Sequence, residues 1–449
     1  MWINCFYQTQ ICIKLIGLGM MNGNKGKRII YSNKRIRIMS CFEEVKSNPN
    51  GKHNGNELKY VCNVLNSEDR EGRKIPYVGR LEEEFSNVLG SKYAIAHNSG
   101  TATLHTCLAA AGVGPGDEVI SPAHTVIMCT FAILHQNAIP VYADIEPDTL
   151  NIDPDDIERK ITDKTKAIIA VHMHGLPCDM TKIMKIAKEH NIVVIEDSAQ
   201  CVNGYIDGKL AGTLGDMASF SFETKKHLSA GEGGMVTTNN KNFATAIRKI
   251  GGLGYKTLAA DQALRALLPE EFQNPSYKRH DTVGWNYRMN ELTAAVALAQ
   301  VERVDELVKR RQRVAEFFME AIRDCDWIIP QKTPDNFIHT YWTFTALYYG
   351  DEIISISWRD FWRKYKELGG DGFYGGLSVV YQEPVIYEGK YKERITGSED
   401  IEFNHNGSCP VAEELQPKMM QFKTNYRDIE VARQKAIILK NTIEYYSTC

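Results

Sequence analysis

Met180-Thr-Lys-Ile-Met-Lys-Ile-Ala-Lys-Glu-His190-Asn-Ile192-Val-Val-Ile195-Glu196-Asp197-Ser198-Ala199-Gln200 is the stretch that decides the fold. Met180–His190 reads as a helix, and Ile192–Ile195 is an unbroken apolar, β-branched run. A run of that kind between helices is a strand buried on both faces. The sheet is therefore expected to be mainly parallel and covered by helices, an α/β architecture.

The same alternation extends outward in both directions. Ala94–His97, Glu118–Ser121, Ile139–Asp144 and Ala167–His172 read as strands, with helices over Thr101–Ala111 and His124–Gln136. Ala218–Phe222 and Met235–Thr238 read as two more strands joined through a Gly-rich turn. Residues 255–283 are irregular and polar, and long loops of this kind are often functional. Glu291–Arg313 reads as one long helix. Residues 330–449 mix short strands with a last helix around Ile429–Tyr446. The expected division is an N-terminal extension over 1–58, a large domain over 59–314 and a smaller α+β domain over 315–449.

Composition narrows the class. The chain has 449 residues, 43% hydrophobic and 24% charged, with a net charge of −3. These values suit a soluble globular protein and point to neither a nucleic-acid nor a membrane partner. Residues 1–42 hold seven basic residues and no acidic one. Such a leader suits a targeting segment or a nucleic-acid arm. The favoured reading is a spurious or disordered extension, with translation starting at Met20, Met21 or Met39. The apolar stretch Ile11–Met21 is too short and too polar to span a bilayer. Eleven cysteines without a C-x-x-C pair fit reduced thiols and a cytoplasmic location. No Cys/His cluster suggests a metal site.

Four segments could carry chemistry, and each has a plainer alternative. Asn98-Ser-Gly100-Thr101-Ala-Thr103 follows a strand and opens a helix, where unpaired backbone N–H groups receive a phosphate. A simple Ser/Thr N-cap reads the same way. Asp197 ends a buried strand, where α/β sheets bind ligands, and could hold a pyridine nitrogen protonated. It could equally cap the next helix. Ser219-Phe-Ser221-Phe-Glu-Thr-Lys225-Lys226-His227-Leu-Ser-Ala-Gly231-Glu-Gly-Gly234 puts a lysine beside a Gly-rich loop. There desolvation can free the amine to attack a carbonyl, and Ser221 can add a phosphate contact. A solvated lysine pair before a turn is the alternative. Gly284-Trp-Asn286-Tyr-Arg-Met-Asn290-Glu-Leu292 opens the long helix, with Asn286 or Asn290 as a cap.

Taken in order, these segments resemble the DegT/DnrJ/EryC1/StrS family of sugar aminotransferases. The resemblance runs from Ile75 to Tyr446 through PYVGRLEEEF, HNSGTATL, GDEVISPAHTVI, VHMHGLPCDM, VIEDSAQ, SFSFETKKHLSAGEGG, GWNYRMNEL and CPVAEELQP. It implies a fold-type I pyridoxal 5'-phosphate (PLP) transferase acting as a homodimer with shared active sites. Gly100, Thr101 and Ser221 would bind the phosphate. Asp197 would pair with the pyridinium nitrogen, and Gln200 would lie beside the ring hydroxyl. Asn286 would reach the phosphate in the neighbouring subunit. His172 falls at the family's histidine near the active site.

The family's Schiff-base lysine stands five residues after the Ser of the S-F string and five before the first Gly of GEGG. Both counts give Lys226, so His227 is one place too late for the histidine of the dehydrase branch. Val126 stands where the family usually has an aromatic residue stacking on the PLP ring, which forgoes roughly 0.5–1.5 kcal/mol of stacking. The expected reaction moves an amine from glutamate or glutamine to a keto sugar, nucleotide-linked, in amino-sugar, polysaccharide or antibiotic biosynthesis. Lys226 would serve as the proton-transfer base and Asp197 would keep the ring nitrogen protonated. The rival readings are a PLP-dependent sugar dehydrase and a non-catalytic PLP-fold regulator.

Overall fold

The computed structural model describes residues 51–66, 77–261, 269–393 and 405–447. The basic leader and its three internal methionines lie outside the described residues. In chain order the strands are β1 (Tyr93–His97), β2 (Glu118–Pro122), β3 (Ile139–Ala143), β4 (Thr165–Val171) and β5 (Val193–Asp197). The short β6 (Tyr205–Ile206) and β7 (Lys209–Leu210) follow, then β8 (Met217–Ser221) and β9 (Gly234–Thr238). The remaining strands are β10 (Ile328–Pro330), β11 (Phe337–Ile338), β12 (Thr343–Tyr348) and β13 (Met419–Lys423).

Seven of these form the central sheet in the order β1-β9-β8-β5-β4-β2-β3. From β8 to β3 every pairing is parallel, and β9 runs antiparallel to both β8 and β1. The β-branched run Ile192–Ile195 that predicts a doubly covered strand supplies the first three residues of β5. Val194 and Ile195 are fully buried, each stabilising the fold by about 1.5–3 kcal/mol. The preceding helix, Met180–His190, forms for local reasons. Asp179 accepts from the Lys182 N–H at its start, and Asn191 in the left-handed conformation ends it. Met180, Ile183, Ile186 and Ala187 make its buried face.

A second sheet of β10-β12-β13, fully antiparallel, lies nearer the C-terminus. The helices Val304–Ala321, Trp358–Glu367 and Ile429–Ser447 pack around its aromatic core. The stretch Gly369–Gly376 is tied down there. Asp371 pairs with Lys423 and Lys435, and Gln421 Nε2 donates to Gly375 O. It is a held turn.

Three elements differ from the sequence expectation. The helix expected over His124–Gln136 begins at Met128, because Thr125–Ile127 form a turn at the end of β2. The long loop 255–283 contains a short helix, Pro269–Gln273, and is laced by Lys256 N donating to Arg279 O. The single helix expected over Glu291–Arg313 is two, Glu291–Val301 and Val304–Ala321. The break has a tertiary cause. Glu302 is drawn toward the N-terminal residues by Asn56 Nδ2 at 2.8 Å and Tyr60 OH at 2.6 Å. The boundary expected at 314/315 therefore falls inside a continuous helix. Residues 51–58, placed in the extension by sequence, lie against the same region, with Gln300 Nε2 donating to Glu57 Oε1.

Candidate active site

The parallel strands bring their carboxyl ends to one edge of the sheet, where such folds bind ligands. Asp197 ends β5 and Ser221 ends β8 at that edge. The helix Gly100–Ala110 starts beside them. Ser99 caps it, accepting from Ala102 N at 3.1 Å, which leaves the first N–H groups of the helix for an anion. Gly100 must be glycine here, because a Cβ would stand 2.9 Å from Ser221 Cβ. That close approach joins the helix terminus and Ser221 into one cradle. Thr101 is half-buried at its rim. The Ser221 hydroxyl accepts from Glu223 N at 3.3 Å and keeps its own proton to donate.

Neighbouring carboxylates on β5 point to opposite faces of the sheet. Glu196 is wholly structural. It accepts from Gly212 N at 2.7 Å, Leu214 N at 2.7 Å and Gly215 N at 2.6 Å, and from His172 Nε2 at 3.0 Å. His172 Nδ1 accepts from Cys178 N at 3.0 Å, so the ring proton sits on Nε2 and is committed to Glu196. Both ring nitrogens of His172 are thus engaged, and its backbone N–H donates to Asp197 O at 3.1 Å.

Asp197 is buried. One oxygen accepts from Ala199 N at 3.0 Å and the other from the Cys129 thiol at 3.5 Å. Burial pushes its carboxyl above the ordinary aspartate value, and the Ala199 N–H and the charge of Lys226 pull it back. Lys226 is its electrostatic partner. Burial lowers the Lys226 amine below the ordinary lysine value, while Asp197 and Glu223 oppose that shift. The amine lies 4.5 Å from the centre of the Trp342 ring. The neighbouring residues are turned elsewhere. Lys225 is exposed, and His227 is buried with Nε2 donating to Thr340 O at 3.0 Å. Of the two adjacent lysines, Lys226 is the one whose amine lies near the Asp197 charge.

Gln200 is buried, and its Oε1 accepts from His174 N at 2.8 Å. Among the described residues its Nε2 has no hydrogen-bond partner. An unpartnered buried amide costs roughly 1–3 kcal/mol, so it invites a ligand acceptor. Val126 is half-buried and packs toward the cluster that holds Ile95 and Cys129. Asn286 lies in an exposed strip bound to the turn after β1, with Asn98 Nδ2 donating to Asn286 O and Asn98 N to Tyr287 O. Its own side chain is exposed. Sequence reasoning missed Cys129, Trp342, Arg311 and His174. Each reaches the site from a separate segment, and none carries a spacing signal.

A lysine with a depressed amine, a buried aspartate, a helix-terminus phosphate cradle and an unpartnered buried amide fit one cofactor, PLP. A fold of this topology with that site defines a fold-type I PLP-dependent transferase. The comparisons carry the assignment further. Residues 52–421 match the model of the DegT/DnrJ/EryC1/StrS aminotransferase family, and the chain belongs to that family. It is 38% identical over 295 residues to GDP-perosamine synthase of Caulobacter vibrioides, covering 65% of this chain and 74% of the relative. It is 37% identical over 269 residues to the spore coat polysaccharide biosynthesis protein SpsC of Bacillus subtilis, covering 60% and 67%. Among solved structures, an aminotransferase from Psychrobacter cryohalolentis superposes with a TM-score of 0.76 at 27% identity, covering 87% of this chain and 97% of that one. The protein is an aminotransferase with PLP as its cofactor.

Proposed function

We propose that the protein moves an amino group from glutamate or glutamine to the carbonyl carbon of a nucleotide-linked keto sugar. The observation that carries this reading is the half-buried Lys226 with the buried Asp197 as its opposite charge, beside the phosphate cradle. The sugar rests on the similarity to GDP-perosamine synthases, whose name specifies an amino sugar on a nucleotide. PLP, when bound, supplies the aldehyde carbon that takes up the amine and an electron-accepting ring.

The residues of this chain do the rest. The N–H groups at Gly100 and Thr101 and the Ser221 hydroxyl hold the phosphate. Asp197 would hold a proton on the ring nitrogen, and its charge would be favoured in return. Gln200 Nε2 would donate to the ring hydroxyl, and Val126 would cover one ring face by apolar contact. Lys226 would carry the cofactor through its amine and, when free, would act as the base that moves the substrate proton. His172 supports the strand that presents Asp197. Asn286 serves the site of a second copy in a homodimer. The large part, 59–314, carries the cofactor residues and the small part, 315–449, helps shape the acceptor pocket. Among the described residues no helix is long and apolar enough to cross a membrane. Cys62, Cys107, Cys129, Cys178, Cys201, Cys325 and Cys409 carry free thiols, which supports a cytoplasmic location.

The test is optical. The purified protein with PLP is expected to show a visible band that fades when L-glutamate or L-glutamine is added without an acceptor, as a near-ultraviolet band grows. A protein that shows the band and transfers nitrogen from neither donor would overturn this reading.

A further inference from the structure

Arg311, in the helix Val304–Ala321, has a relative exposure of 6%. Removing a guanidinium from water costs several kcal/mol unless its charge is met. Among the described residues no carboxylate forms an ion pair with it, and all its hydrogen-bond acceptors are neutral. Nη1 donates to Trp342 O at 2.9 Å and Thr424 Oγ1 at 3.2 Å. Nη2 donates to Lys225 O and Lys226 O, both at 3.0 Å. Trp342 closes the loop, because its Nε1 donates to Lys225 O at 3.0 Å. Thr424 Oγ1 also donates to Tyr341 O at 2.6 Å. One guanidinium therefore fastens the lysine loop to the start of β12 and the residue after β13.

We propose that Arg311 is a positioning residue for Lys226: it fixes the backbone that carries the lysine and keeps an uncancelled positive charge close to its amine. The proposal rests on the reading of Lys226 as the cofactor's lysine. The charges acting most on that amine are Asp197 from β5, Glu223 from its own loop, Arg311, and Cys129 from the helix Met128–His135. Asp197, Glu223 and Cys129 favour the ammonium form. Burial and Arg311 favour the neutral amine. Burial pulls the Arg311 guanidinium itself down to about 9, still charged near neutral pH. Arginine suits this task because the two nitrogens of its rigid planar fork hold two segments at once, Nη2 the lysine loop and Nη1 the residues flanking β12 and β13.

The test uses the protein without cofactor, so that the amine is read directly. Trace acylation with acetic anhydride across a range of pH, followed by peptide mass analysis, gives the titration midpoint of Lys226. In Arg311→Gln the midpoint is expected to rise by about one pH unit, a tenfold loss of neutral amine at a fixed pH below the midpoint. Arg311→Lys keeps the charge and loses the fork. It is expected to hold the midpoint near the wild-type value while kcat falls about tenfold at little-changed KM. Lowered thermal stability in both variants, with midpoint and kcat unmoved, would show a merely structural role and overturn the proposal. Should neither variant fold, Thr424→Val removes one acceptor and leaves the guanidinium in place. A lowered kcat there supports the proposal and an unchanged one overturns it. Failure of the wild-type protein to form a visible PLP band would sink the reading of Lys226 as cofactor lysine, yet leave the midpoint and its response to Arg311→Gln intact.

Discussion

Two adjacent lysines differ in what surrounds their amines. Lys225 is exposed and contributes its carbonyl, which accepts from both Arg311 and Trp342. Lys226 is drawn away from water with Asp197 as its main opposite charge, and we propose it as the nucleophile of the pair. Lys226→Ala is accordingly expected to lower transamination by roughly a thousandfold or more. Lys225→Ala should leave it within a few-fold of wild type. Borohydride reduction of the PLP-loaded protein followed by peptide mapping is the sharper check. The phosphopyridoxyl group should be found on Lys226, and finding it on Lys225 would refute the assignment. The neighbouring carboxylates on β5 show the same division. Glu196 is saturated by donors from the turn at 212–215 and from His172, whereas Asp197 keeps its charge near the lysine.

At the scale of elements, the cradle depends on how closely a helix can approach a strand end. The first residue of the helix Gly100–Ala110 touches Ser221, and a methyl group there would stand 2.9 Å from the serine Cβ. Gly100→Ala should push the helix start away from β8 and weaken PLP binding about tenfold, about 1.4 kcal/mol. Titration of the apoprotein with PLP, followed by absorbance, measures this, and unchanged affinity would mean the phosphate sits elsewhere. The sheet was legible because β5 and its neighbours are apolar on both faces, a pattern that little else in a soluble chain produces. Lys226 could be proposed from sequence because the two spacings that the family resemblance supplies, from Ser221 and from Gly231, converge on it. The break between Val301 and Val304 was not legible. No Gly or Pro marks it, and its cause is the capture of Glu302 by Asn56 and Tyr60, far away in sequence. Arg311 and Trp342 were hidden for the same reason, since their roles exist only once β12 and the lysine loop meet. His172 shows the converse. Its place in a motif marked it as a candidate, and its ring nitrogens are both engaged.

At the scale of the whole molecule, the strip around Asn286 is unusually bare for a folded surface. Val283 is 77% exposed and Leu292 is 42% exposed, with Trp285 between them also uncovered. Apolar residues gathered in this way mark a surface that another protein covers. The Asn286 side chain stands in the same strip, and its backbone is tied to the turn that opens the phosphate-binding helix. A twofold dimer formed through this face would carry Asn286 of one protomer toward the cradle of the other, since isologous contacts are reciprocal. Complementation tests this without a structure of the dimer. Lys226→Ala removes the amine, and Asn286→Asp sets a negative charge against the phosphate, so each homodimer should be inactive or nearly so. In a heterodimer purified through two different tags, one site pairs an intact Lys226 with an intact Asn286 and the other holds both defects. Shared sites predict recovery of roughly half the wild-type turnover per dimer. Sites built from a single chain predict none, because every chain then carries one defect, and an inactive heterodimer would refute the shared arrangement.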